Sequence, residues 1–168
     1  MLRLILLFLA LYCGSAATAL AADPLHEVRK SFAIGGKPIP AEIFADFGDA
    51  WMSDSRPIVV TIDAKAAIDS NRYADPITTN GRWVEQAKPG PGGLNGPETM
   101  AYEYRGATAS GLLVFLAAWS GGGSGTFCYL HILDAVSNRA FDEDGSTYLR
   151  LDLTMVRTVI LGDRWRAT

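Results

Sequence analysis

The sequence has few of the residues that build disulfide frameworks or clustered metal sites. Its 168 residues include two cysteines and two histidines. Two cysteines exclude a disulfide-rich scaffold, and no C-x-x-C or H-E-x-x-H pattern indicates a zinc or haem site. The acidic turn that begins at Asp142 does not follow the EF-hand pattern, because its twelfth residue is Leu153 rather than Glu. We therefore predict no metal and no cofactor.

The chain also lacks an excess of positive charge. Lysine and arginine number 15 against 18 aspartates and glutamates, a formal net charge of −3. Nucleic-acid-binding domains usually carry a strongly basic face, so we predict no nucleic-acid partner. The hydrophobic fraction of 49 % excludes a long disordered chain, and the length allows one ordinary domain or two very small ones.

Much of the apolar content lies at the N-terminus. Arg3 precedes an unbroken apolar run, Leu4–Tyr12, and small residues follow it up to the A-x-A pattern at residues 19–21. The run is too short to span a ~30 Å hydrocarbon core, which needs about 20 residues. We predict that residues 1–21 are a cleaved signal peptide and that the protein is periplasmic or secreted.

A lipoprotein signal with Cys13 as the lipidated residue is the alternative. Lipoprotein signals place small residues before the cysteine, and here Leu11 and Tyr12 precede it. Removing the first 21 of 168 residues leaves 147 and makes the formal net charge −4, because Arg3 is the only charged residue removed. Cys128 is then the only thiol, and no later run is long enough to form a transmembrane segment.

Residues 22–168 are predicted to form a single β-rich domain. A β-branched run follows Pro57, and two further apolar runs indicate strands inside a sheet, Gly111–Trp119 and Thr126–Asp134. Tyr148–Thr154 alternates apolar and polar residues, and a further strand is predicted at Val156–Leu161. We expect a mainly β fold, an antiparallel sheet or a sandwich with one or two short N-terminal helices, with α+β as the alternative.

Local signals place the turns and one helix of that domain. Asn80-Gly81 and Asp144-Gly145 are hairpin signals, and Gly35-Gly36 ends a short predicted strand at residues 32–34. Pro40 and the apolar spacing after it predict a helix of about two turns.

No coherent catalytic set is present, and we predict no catalytic residues. The glycine-rich segment around Ser124 does not fit the G-x-S-x-G nucleophile pattern, because Thr126 stands where a glycine is needed and a strand follows. The two histidines are His26, in the charged lead segment, and His131, in a hydrophobic strand. We interpret Ser120–Gly125 as a connector between two buried strands.

A few polar residues are candidates for ligand binding. One group follows the first buried strand, where the same residue types are also ordinary turn formers; the others lie in the glycine-rich connector and at the end of the last strand. The candidates are Ser70, Asn71, Arg72, Tyr73, Ser124, Asp163 and Arg164. Six aromatic residues could form a carbohydrate platform or simply pack in the core: Trp51, Tyr73, Trp83, Tyr102, Tyr104 and Trp119.

The stretch GGGSGTFCYLHIL, with TVILGDRWR some twenty-five residues later, resembles a pattern of uncharacterised exported bacterial proteins. In those proteins a GGSGTF-type turn leads into an apolar strand, and a later strand ends in LGDR. The resemblance covers Leu112–Arg166 and extends less closely to Pro57–Tyr73. It implies an exported β-rich domain and no known activity.

Three functional hypotheses are compatible with these observations. The first is a non-catalytic periplasmic or secreted domain with a binding or envelope-associated role. The second is a small exported hydrolase that uses paired carboxylates, such as Asp63, Asp69 or Asp75. The third is an exported enzyme inhibitor that inserts a rigid loop, either Ser120–Gly125 or Lys88–Pro97.

Export makes a direct prediction about the mature N-terminus. When the full chain is produced in a Gram-negative host, we expect the protein in the periplasm or medium to begin at Ala22, because the A-x-A pattern ends at Ala21. Intact-mass measurement and N-terminal sequencing check this. A lipid-modified product beginning at Cys13, or an uncleaved chain in the cytoplasm, would contradict it.

Overall fold

A computed structural model describes residues 23–47, 59–63, 77–88 and 97–163. Two short helices and a small hairpin come first within these ranges, and the strands of a large sheet follow. The elements in chain order are α1 Pro24–Ser31, β1 Ala33–Ile34, β2 Lys37–Pro38, α2 Ile43–Asp46, β3 Val59–Asp63, β4 Ile77–Asn80, β5 Trp83–Lys88, β6 Glu98–Ala107, β7 Leu113–Ser120, β8 Phe127–Phe141 and β9 Thr147–Asp163.

Seven of the strands form one antiparallel sheet. Strands β4 to β9 each pair with the next along the chain, and β3 pairs with β9, so the sheet order is β3-β9-β8-β7-β6-β5-β4. Strands β1 and β2 form a separate two-stranded hairpin. The prediction of a mainly β, antiparallel fold with one or two short N-terminal helices is confirmed.

The last two strands are longer than the sequence pattern predicted. β8 continues seven residues beyond Asp134, and the two segments predicted on either side of Met155 are one strand, β9. The β8–β9 register shifts twice, between Cys128 and Tyr129 and between Ile132 and Leu133. Such bulges let a strand continue although its alternation of apolar and polar residues changes phase.

Helix α1 has conventional signals at both ends. The Asp23 carboxylate accepts a hydrogen bond from the Leu25 N–H at 3.0 Å, and Pro24 occupies the first turn, where its missing N–H costs nothing. Arg29 and Lys30 lie in the last turn, near the negative end of the helix dipole.

The end of α1 is unusual because Phe32, a non-glycine residue, has left-handed backbone angles of φ 50° and ψ 49°. Its N–H donates to Val28 O at 2.9 Å and closes the helix. The next turn contains Gly35 and Gly36, both at positive φ, and their N–H groups donate to the Glu27 carboxylate at 2.8 and 2.6 Å. This carboxylate ties the β1–β2 turn to the helix.

The helices and the hairpin pack on one face of the sheet, which we call the helix face. Two tyrosine hydroxyls fix the contact: Tyr102 donates to Ile39 O and Tyr104 to Arg29 O, each at 2.6 Å. Burial raises the pKa of both phenols, and for Tyr104 the nearby Arg29 charge opposes the increase. Both tyrosines therefore stay protonated as donors.

Aromatic rings form the centre of this contact. Phe32 is fully buried, with its ring centroid 4.5 Å from that of Phe115 and 5.4 Å from that of Tyr102, both edge to face. Phe44 of α2 lies 5.3 Å from Tyr102 and 5.2 Å from Phe115. Edge-to-face rings at these distances stabilise beyond the area that they bury.

Several local predictions can be compared with these elements. The Asn80-Gly81 hairpin is confirmed, with β4 and β5 paired on either side. The helix predicted after Pro40 is shorter than expected, since α2 has four residues. Within the described ranges, neither helix is long and apolar enough to cross a bilayer.

The left-handed conformation of Phe32 leads to an unusual order of stabilities. Phe32→Ala should lower the free energy of unfolding by about 3–5 kcal/mol through loss of the buried ring. Phe32→Gly should be about 1 kcal/mol more stable than Phe32→Ala, because glycine adopts positive φ without steric cost. Urea unfolding followed by circular dichroism checks this. The opposite order, glycine less stable than alanine, would contradict the left-handed backbone.

Candidate functional site

One end of the helix face carries aromatic and polar side chains in register across five strands. Cross-strand partners lie on the same face of a sheet, so they form a continuous line. We call this line the end row, and it consists of Gln86, Met100, Trp119, Phe127 and Asp163. The next line inward is Val84, Tyr102, Ala117, Tyr129 and Ile160, and its middle members contribute to the core.

Trp119 and Phe127 form the aromatic part of the end row. Their rings are stacked, with centroids 5.6 Å apart and planes 26° from parallel. Trp119 Nε1 donates to Glu98 Oε1 at 2.8 Å, which fixes the indole. Phe127 is 42 % exposed, a high value for a phenylalanine next to the core. The pair is therefore an oriented aromatic surface in contact with solvent.

The glycine-rich connector between β7 and β8 lies against this pair. A Cβ on Gly121 would approach the Trp119 ring to 3.2 Å, so a larger residue there would require the indole to move by a few tenths of an ångström. Gly125 lies beside both the Phe127 ring and the Asp163 carboxylate. Asp163 Oδ1 accepts from the Thr126 N–H at 2.8 Å, so the end of β9 holds the start of β8.

A small cavity lies where α2 meets the end row. Glu42, Ala45, Gln86, Glu98 and Met100 line it. Its enclosed part has room for about one water molecule. The buried Gln86 side chain accepts from the Glu42 N–H at 2.9 Å. This cavity is too small for a larger ligand, which would contact the surface above it.

His131 is placed as a structural residue. It is 9 % exposed and stacks against Phe44 and Tyr129, with ring centroids 5.5 Å away in each case. Its Nδ1 lies 3.0 Å from Thr158 Oγ1, and that hydroxyl donates to Met155 Sδ at 3.4 Å. This agrees with the interpretation of His131 as a hydrogen-bonded core residue.

Ser124 and His131 occupy different positions along the sheet. Phe127 precedes His131 by four residues, about 13 Å of strand, and Ser124 lies in the connector before Phe127.

The structure brings together some of the sequence-predicted site residues. Ser124 lies in the connector between β7 and β8. Asp163 lies at the end of β9, which holds this connector through the Thr126 N–H. The remaining candidates lie outside the described residues: Ser70, Asn71, Arg72, Tyr73 and Arg164. Asp69 and Asp75 of the hydrolase hypothesis and most of the Lys88–Pro97 loop also lie outside them.

The aromatic candidates divide between several environments. Trp119 belongs to the end row, Tyr102 and Tyr104 pack against the helices, and Trp83 lies opposite Glu103 on the other face of the sheet. Trp51 and Tyr73 lie outside the described residues. Sequence reasoning missed Phe127 and Glu98, which become site residues only because strand pairing places them beside Trp119.

The outer face of the sheet, opposite the helices, contains a buried carboxylate with a structural role. Glu103 is 4 % exposed, and its Oε1 lies 3.0 Å from both Arg82 Nε and Arg105 Nη1. Leu116 and Cys128 are buried on the same face, which confirms the interpretation of Cys128 as a buried thiol. Two arginines thus neutralise this buried acid.

Comparisons add no functional information. No protein-family model, curated protein or solved structure matches the chain. In the part of the chain that the structure describes, no group of three or more histidine, cysteine, aspartate or glutamate side chains is placed to hold a metal ion.

The environment of His131 predicts a pH-dependent stability. Burial lowers the pKa of His131 from 6.5 to about 4. The unfolded chain therefore binds a proton more readily between these pH values, and stability falls as pH falls from about 6.5 to about 4. One pKa unit corresponds to about 1.4 kcal/mol, so this histidine lowers the free energy of unfolding by about 2 kcal/mol between pH 6.5 and 5.

His131→Phe keeps a flat ring between Phe44 and Tyr129 and removes the titration. Urea unfolding at pH 6.5 and 5 measures how much free energy of unfolding is lost on acidification. This loss should be about 2 kcal/mol smaller in the variant than in the wild type. Equal losses, or an NMR titration of His131 with a midpoint near 6.5, would contradict the burial.

Proposed function

We propose that this chain is an exported, non-catalytic binding domain whose ligand contacts the end row. The observation that carries this proposal is the stacked Trp119–Phe127 pair, which is fixed by Glu98 and partly exposed. Oriented aromatic side chains that stay in contact with water are typical of binding surfaces, because they bury a large area at little entropic cost.

The environment around the pair supports the same proposal. Tyr129 lies half-buried one line inward, and its partner in register, Ile160, is 61 % exposed. Aromatic and aliphatic surface thus continues from the end row along β8 and β9. Asp163 and Glu98 provide carboxylates beside it, so a ligand would find both apolar surface and hydrogen-bond acceptors.

The roles of the buried ionisable groups favour binding over catalysis. His131 is hydrogen-bonded to Thr158 and burial lowers its pKa to about 4, and Glu103 is held between two arginines. A general acid or base needs a ligand within hydrogen-bonding distance and a pKa near the working pH. Both side chains are buried, so neither reaches a ligand on the surface.

One observation favours a second candidate, the exported hydrolase. Glu42 and Glu98 line the same small cavity, and paired carboxylates are sufficient for glycoside hydrolysis. These are not the aspartates that the sequence suggested. The enclosed space holds about one water molecule, so a substrate would have to lie on the surface above it.

The two candidates can be separated by NMR. An isotope-labelled protein would be titrated with a panel of oligosaccharides, short peptides, nucleotides and lysophospholipid micelles. We expect one class to shift the Trp119 indole resonance and those of Phe127 and Tyr129, and to remain chemically unchanged after long incubation. Phe127→Ala should abolish these shifts.

Phe141→Ala is the matched control. Phe141 is 71 % exposed and lies at the other end of β8, about 45 Å along the strand from Phe127. Its replacement should leave the shifts unchanged. Shifts that map away from the end row would contradict the proposal. Product formation that Glu98→Gln removes would establish the hydrolase instead.

A further inference from the structure

We propose that the ligand of the end row is a neutral saccharide, a chain of hexopyranose units that stacks on the aromatic pair. This inference rests on the proposed function and adds the chemical class of the ligand. Phe127 and Trp119 supply the apolar surface, and Glu98 and Asp163 supply the acceptors.

The aromatic pair matches the apolar face of a sugar ring. A pyranose presents axial C–H groups on one face and hydroxyls around its edge, so it binds where an aromatic surface is bordered by hydrogen-bonding groups. Phe127 and Trp119 are neighbours across β7 and β8 and stack on each other, so they form one aromatic strip whose exposed part, mainly the Phe127 ring, would contact the sugar.

The carboxylates around the strip match the hydroxyl edge. Glu98 accepts from the Trp119 indole and Asp163 from the Thr126 N–H, so both are held in place. An ionised carboxylate accepts up to about four hydrogen bonds, so each can also accept from sugar hydroxyls. Every hydroxyl is a donor, whereas acceptor-only ligands gain nothing from these groups.

The same groups disfavour other ligand classes. Two carboxylates repel phosphates, nucleotides and anionic lipid headgroups. The cavity beside α2 holds about one water molecule and does not accept an acyl chain. Neutral sugars combine an apolar face with many donors and carry no opposing charge.

The strip is also organised before a ligand arrives. The hydrogen bond to Glu98 and the close approach of Gly121 both hold the Trp119 ring. A rigid surface loses little side-chain entropy on binding. This favours weak ligands such as saccharides, for which the entropic cost of ordering side chains would otherwise be large.

Titration calorimetry with cellohexaose, chitohexaose, laminarihexaose and maltohexaose tests the inference on the mature protein. We expect at least one to bind. Phe127→Ala should weaken its association constant by about tenfold or more. Trp119→Phe, which keeps a ring but loses the Glu98 bond, should weaken it less than Phe127→Ala, and Phe141→Ala should not change it. Circular dichroism verifies that each variant is folded.

The outcomes separate this inference from the proposed function. If no hexasaccharide binds but a peptide or lysophospholipid shifts the Trp119 and Phe127 resonances, the saccharide inference is wrong. The proposed binding function of the end row is then supported. If no probe of any class shifts these resonances, both proposals fail. A saccharide that binds equally well to Phe127→Ala also overturns the inference, because the ring would then not be its platform.

Discussion

The packing of Phe32 against the sheet is the contact on which the rest of the described structure depends. Its backbone closes helix α1 and leads into the β1–β2 hairpin, and its ring meets Tyr102 and Phe115 edge to face. The left-handed backbone at this residue costs about 1–2 kcal/mol, and only the burial of a whole aromatic ring makes such a residue favourable there. Helix, hairpin and sheet thus share one anchor.

This anchor also explains where the candidate site lies. The rings of Phe32 and Phe44 cover the central lines of the helix face, around Tyr102 and Phe115. Large hydrophobic side chains nearer the end of the sheet, such as Phe127 and Ile160, remain exposed. One face of one sheet therefore contains a core in its middle and a solvent-accessible aromatic surface at its end.

The strands were the most predictable part of the chain, and their lengths the least. Local pattern predicts the β-branched run of β3, the Asn80-Gly81 hairpin and strand β7, which is apolar on both faces. The joining of two predicted segments into the single strand β9 does not follow from local pattern, because a bulge changes the phase of the apolar–polar alternation. Helix α1 does not follow from local pattern, because its charged sequence has few apolar residues and its contacts with the sheet are made through Tyr104 and Phe32.

The sequence by itself determined the antiparallel strand-rich class, the burial of Cys128 and the structural role of His131, since each depends on the period of apolar residues along one strand. It could not determine the end row, whose members come from five strands between residues 86 and 163. Only strand order and register decide which side chains become neighbours across a sheet, and a shift of one residue would turn each to the opposite face. The meeting of Glu98, Trp119 and Phe127 is for that reason a property of the tertiary structure alone.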